Sequence, residues 1–178
     1  MTDRSWIEFL VISRFRMTDQ YLPKLLAALE CLTRNQLWSR TADTNSIGGI
    51  VLHMLEHLKR HAHPGSNGVG IEEFFPDDTL SPDGLARLAE QQFAEWALRM
   101  DAWISSCLSD TPVDAPDLFR TYHLIEHCAY HLGQAVDRTR QMTGVRFDFC
   151  RRGLNEKQLR TRVEHRLREL GGFGSESS

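Results

Sequence analysis

Three histidines recur at intervals of four in Thr121-Tyr-His-Leu-Ile-Glu-His-Cys-Ala-Tyr-His-Leu-Gly-Gln134, at positions 123, 127 and 131. A second run, Asn45-Ser-Ile-Gly-Gly-Ile-Val-Leu-His-Met-Leu-Glu-His57, adds His53 and His57, and His61 follows one turn later. Seven of the eight histidines fall in the windows 53–63 and 123–131. Residues four apart on a helix are neighbours on one face. Two imidazoles at that spacing can share one divalent ion while a third ligand arrives from another helix. The chemistry that follows is that of a three-nitrogen metal site with an open position, where a water or a thiol is acidified.

The spacing restricts the choice within the second cluster. At 1.5 Å per residue, His123 and His131 lie about 12 Å apart along the axis, too far to share an ion with a ligand distance of about 2 Å. The pair is therefore 123/127 or 127/131, and His127 belongs to both. These histidines flank the apolar stripe centred on Ile125 and Leu132 and face a seam between helices. In the first cluster the stripe is centred near Met54 and Leu58, which puts His57 and His61 closer to a core than His53. For a lone histidine the ordinary role is a half-buried side chain bonded to backbone or carboxylate. Paired clusters on two helices favour metal binding, because imidazole is the commonest metal ligand.

Helical periodicity dominates the elements that carry these residues, and no alternating β-branched run argues for a strand. A first helical region covers about 5–32, with a kink or break near Tyr21 because Pro23 removes a backbone donor. A second covers about 46–63, capped by Asn45 or Ser46. Its tandem Gly48-Gly49 weakens the first turns and permits close packing. A link of 64–80, longer than the usual helix–helix connection, suits a crossover. Ser81-Pro82-Asp83 opens a third helix that runs to about Ser109. A fourth spans about 117–143 and stops at Gly144. A shorter charged helix covers 155–169, and a disordered tail is expected over 171–178. The expected fold is all-α: a four-helix bundle over 1–150, with the long crossover between its second and third helices. A basic helical extension follows over 151–170.

The chain has 178 residues, enough for a core without staples. Its four cysteines, Cys31, Cys107, Cys128 and Cys150, form no C-x-x-C pair and read as reduced and structural. No apolar run approaches the roughly 20 residues of a membrane span, and the first residues lack a signal-peptide layout, so a cytoplasmic location is expected. The net charge of −3 hides an asymmetry: residues 1–137 carry 11 basic and 19 acidic side chains, residues 138–168 carry 10 and 3. Such a basic segment can meet an anion such as nucleic acid. The interruptions at Asp148, Glu156 and Glu164 favour instead a segment that covers the acidic body of its own domain or of a partner subunit.

The stretch Leu37-Trp38, Asn45-Ser46-Ile47-Gly48, Leu52-His53, followed by Glu126-His127-x-x-Tyr130-His131-x-Gly133-Gln134, resembles the DinB/YfiT-like superfamily, most closely a branch of metalloenzyme-like proteins without an established function. The likeness covers about residues 20–150. It implies one histidine from the second helix and two from the last bundle helix on a divalent metal, which carries over to His53, His127 and His131. It selects His53 against the hydrophobic stripe. It also implies a four-helix bundle, a homodimer, and in some members transfer of a low-molecular-weight thiol to a small electrophile. Gln134, Glu56 and His57 are candidates to orient ligands from behind. Zinc and nickel are the first candidates for the ion, which neutral imidazole alone does not discriminate. The alternatives are a metal-dependent hydrolase and a non-enzymatic, stress-associated interaction bundle.

Overall fold

The structure is a computed structural model that describes residues 4–40, 43–63, 75–76, 78–109 and 117–170. Among the described residues it is helical throughout, with no strand. The helices are α1 (Arg4–Phe15), α2 (Leu22–Glu30), α3 (Arg34–Trp38), α4 (Ile47–Ala62), α5 (Pro82–Ser109), α6 (Leu118–Thr143) and α7 (Glu156–Glu169). No helix among them is long and apolar enough to cross a membrane. The tail 171–178 and most of the 64–80 link lie outside the described residues.

The helix ends follow the local chemistry of the sequence. Ser46 accepts from the backbone N–H of Gly49, Asp117 from Arg120 and Asn155 from Gln158, each satisfying an orphan donor of a first turn. Ser81 does the same for Gly84 just before α5. Gly144 ends α6 at φ 74°, a left-handed conformation that costs glycine little. The break expected near Tyr21 takes the form of a π-helical turn, Arg16–Tyr21, which joins α1 to α2 without interrupting the helical run. Pro23 has no N–H for the carbonyl four residues back, and the wider turn just before it absorbs the mismatch, with Leu22 N–H reaching Met17 O. The short helix α3 was not anticipated. Its signal is a capping box in which Thr33 and Gln36 satisfy each other's backbone donors.

One apolar core runs through the molecule. It includes Leu10, Val11, Leu25, Leu29, Val51, Leu55, Leu58, Phe93, Trp96, Trp103, Leu124 and Leu132. Helix α4 packs on α5 and α6, α2 packs on α5 and α6, and α1 packs on α5 and α7. Arg14 of α1 donates to Asp101 of α5 at 3.1 Å. The basic C-terminal helix joins the same core through Leu159, Val163 and Leu167. It is fastened to the π-helical turn by Arg16, which meets Glu156 with two bonds of 2.8 Å, by Arg162 on Asp19, and by the buried Gln20 amide donating to Asn155 O.

The two glycines at the start of α4 are each explained by a close approach. A Cβ on Gly48 would lie 2.3 Å from the Trp38 ring, whose indole N–H donates to Leu80 O at 2.8 Å. A Cβ on Gly49 would meet the carbonyl oxygens of Pro76 and Phe75 at 3.1 and 3.2 Å. The first glycine lets α3 close over α4, and the second lets the end of the long link lie against it. Gly48→Ala should therefore destabilise. Overpacking of about 1–3 kcal/mol outweighs a helix-propensity gain of up to about 1 kcal/mol. Gly133, exposed on α6 with open space around it, should respond with the opposite sign. Thermal unfolding of Gly48→Ala and Gly133→Ala checks this: the first should melt below the parent protein and the second at or above it.

Candidate metal centre

Helices α4 and α6 meet along the faces that carry the histidines. The His53 ring lies 4.7 Å from His57, 4.9 Å from His127 and 5.0 Å from His131, centroid to centroid. His57 and His127 are 4.0 Å apart, and His127 and His131 4.4 Å. Ligand nitrogens of His53, His57 and His127 all lie within 4.8 Å of one another, near enough to hold one ion. His53 and His131 are buried, at 6% and 5% exposure, while His57 and His127 are half-buried.

The rings are kept neutral by their surroundings. Burial, then the neighbouring His53 and the Arg60 guanidinium, bring the His57 imidazole from its ordinary 6.5 down to about 4. Burial and then His57, His131 and His53 bring His127 down to about 3. Burial lowers His131 as well, with its bond to Gln134 in partial opposition. A neutral imidazole offers one nitrogen lone pair, which is the form a metal needs. The Nε2 atom of His127 is buried and has no hydrogen-bond partner. His131 Nδ1 donates to Gln134 Oε1 at 2.9 Å, which fixes the tautomer and leaves its Nε2 lone pair available.

The remaining candidates separate clearly. Gln134 is placed behind His131, as a ligand-orienting residue would be. The Glu56 carboxylate is engaged by Arg60 at 3.0 Å on its own helix. His57 stands among the clustered rings rather than behind them. His123 is exposed at the outer edge, 5.8 Å from His127 and stacked on Phe119 at 6.4 Å.

His61 does something else. The Trp96 indole N–H donates to His61 Nδ1 at 3.2 Å, so that nitrogen carries no proton. The ring proton then sits on Nε2, which donates to Thr121 Oγ1 at 3.3 Å, and the Thr121 hydroxyl donates onward to Asp117 O. Both ring nitrogens are used, and the chain of bonds ties α4, α5 and α6 together. Burial and the Arg120 charge lower His61 to about 4, with Asp117 partly opposing.

One feature escaped the sequence pattern. His53 is buried although the apolar stripe of α4 does not select it, because the Phe75 ring from the end of the long link covers it at 4.6 Å and reaches His131 at 5.9 Å. The absence of a side chain at Gly49 leaves room for the Phe75 carbonyl beside it. The cysteines take no part: all four are free, and burial pushes the fully enclosed Cys128 thiol well up.

The chain matches no protein-family model, no curated protein and no solved structure.

Protonation of these rings should weaken the apoprotein. His57, His61 and His127 titrate near 6.5 when unfolded and at about 4, 4 and 3 when folded. Between those values the unfolded chain binds more protons, so stability drops as the pH is lowered through this window and is unaffected by these groups above it. Chemical unfolding of metal-free protein should show a lower midpoint at pH 4.5 than at pH 7.5. An unchanged midpoint would contradict the buried neutral rings.

Proposed function

We propose that this chain is a divalent-metal-dependent enzyme of the DinB/YfiT-like type. In this reading α1–α2, α4, α5 and α6 form a four-helix bundle, with the 64–80 link as the crossover between α4 and α5. One ion is held by His53, His127 and His131. The observation that carries the proposal is the convergence of imidazoles from two helices on one seam, with three ligand nitrogens within 4.8 Å of one another. A fully bonded structural histidine looks like His61, and His127, with its buried unpartnered Nε2, does not.

A dication held only by neutral nitrogens keeps its full charge and would supply acidification of a thiol or water that reaches it. The residues of the chain do the rest. Gln134 holds His131 in one tautomer and orientation. Phe75 covers His53 and His131 and keeps water from that side of the site. His61, bonded to Trp96 of α5 and to Thr121 of α6, fixes the spacing of α4 and α6 from the inside. The reaction class is transfer of a small thiol to an electrophile: the thiol loses its proton, sulfur bonds to the electrophilic carbon, and the leaving group departs with the electron pair of its bond.

Metal analysis of protein purified without chelators or a nickel resin tests the site. About one equivalent is expected in the parent protein, most of it lost in His127→Ala and little in His123→Ala. Equal retention by the two variants would sink the proposal. Adding a small thiol to cobalt-loaded protein separates the chemistry from mere binding, because a sulfur-to-cobalt absorption band is expected only if the thiol reaches the ion. Without that band, a hydrolytic or non-enzymatic role takes its place.

A further inference from the structure

The two helices supply one imidazole more than a three-ligand site uses. His53 and His127, 4.9 Å apart, are common to two three-ring sets. One is completed by His57, at 4.7 and 4.0 Å from them, and the other by His131, at 5.0 and 4.4 Å. Rings that bind one ion through nitrogen at about 2.0–2.1 Å have centroids a little over 3 Å from it, so adjacent centroids lie about 4.5–5 Å apart. The set of His53, His57 and His127 already has its ligand nitrogens within 4.8 Å of one another, and the His131 ring, 4.4 Å from His127, would join it by a shift of its side chain. Neither outer ring is committed elsewhere in the way His61 is. His131 spends one nitrogen on Gln134 and keeps the other, and among the described residues no hydrogen bond engages the ring of His57.

We propose that the ion has four protein ligands, with His57 completing the set of His53, His127 and His131. The proposal rests on the metal-site reading above and adds to it the fourth donor. His57 is one turn after His53 on α4, as His131 is one turn after His127 on α6, so each helix presents an i, i+4 pair to the seam. Four neutral nitrogens fill a tetrahedral ion. A water or thiol then reaches the ion only if the ion accepts a fifth ligand, or if an outer ring gives way. With zinc such a set is a closed tetrahedral site, whereas an ion at ease with five or six ligands, such as nickel or ferrous iron, would keep a position for water or thiol.

The test has two arms. In the first, the side-chain nitrogen resonances of nitrogen-15-labelled wild-type protein are compared with and without zinc. Ring nitrogens of His53, His57, His127 and His131 should all shift, and those of His61 should not. In the second, competition titrations measure metal affinity in His57→Ala, His131→Ala and the double variant, with circular dichroism confirming that each is helical. Each single variant should bind one ion more than about a hundredfold more weakly, beyond the usual cost of losing an outer-sphere partner. The double variant, left with one ring per helix, should lose stoichiometric binding. The fourth donor is refuted if zinc leaves the His57 nitrogens unmoved and His57→Ala binds with wild-type affinity while His131→Ala does not. If wild-type protein itself binds no metal, or His127→Ala binds as well as wild type, the metal-site reading fails and the fourth donor with it.

Discussion

Four imidazoles share one half-buried volume between α4 and α6, and the rest of the molecule is arranged around that constraint. Protonating any one of them places a cation beside three rings and under apolar cover, which is why burial heads the causes that depress His57, His127 and His131. Neutral imidazoles crowded to centroid separations of 4.0–5.0 Å gain little from one another as a core. Apolar side chains in their place would bury more hydrocarbon at no polar cost. A cation shared between their lone pairs would convert the crowding from a liability into a binding site.

The surroundings keep the two helices at the separation that this cluster requires. One turn beyond His57, His61 links Trp96 of α5 to Thr121 of α6 through bonds that use both of its ring nitrogens. At the other end of α4, Gly48 and Gly49 admit the Trp38 ring and the Phe75–Pro76 backbone. Phe75 then lies over His53 and His131. Farther out, the bidentate Arg16–Glu156 pair and the Gln20–Asn155 bond hold α7 against the π-helical turn, so the basic end of the chain closes one side of the core. An exposed pair of this kind contributes about 1 kcal/mol or less by itself. The three buried apolar side chains of α7 contribute more to keeping it in place.

Much of the fold can be read from residues one at a time. Ser46, Asp117 and Asn155 mark three helix starts because a short polar side chain satisfies an orphan amide, and Gly144 marks an end because it alone takes a left-handed turn cheaply. The pitch of a helix makes His127 a member of any pair but leaves 123/127 and 127/131 open, and only the structure shows His123 exposed at the outer edge. Other features depend on partners distant in sequence. His53 sits off the apolar stripe of α4 and is covered only because Phe75 folds back over it, which no local period encodes. His57 and His61 look alike in sequence, four residues apart on the same face. Whether a ring joins a cluster or becomes a strut depends on whether Trp96 and Thr121 stand opposite. The π-helical turn is foreshadowed by Pro23 as a disturbance, while its form depends on packing against α7 and the core.

The seam between α4 and α6 is thus the feature on which the proposed function rests, and sequence elements that look incidental, a tandem glycine, the second of two adjacent phenylalanines and a glutamine three residues after His131, each bear on it. The most direct measurement is crystallography of protein grown without chelators and soaked in a divalent metal, with data collected on both sides of that metal's absorption edge. A single anomalous peak enclosed by His53, His57, His127 and His131 is the expected result. No peak in the seam at saturating metal, or a peak coordinated elsewhere on the molecule, would contradict a metal centre built by these two helices.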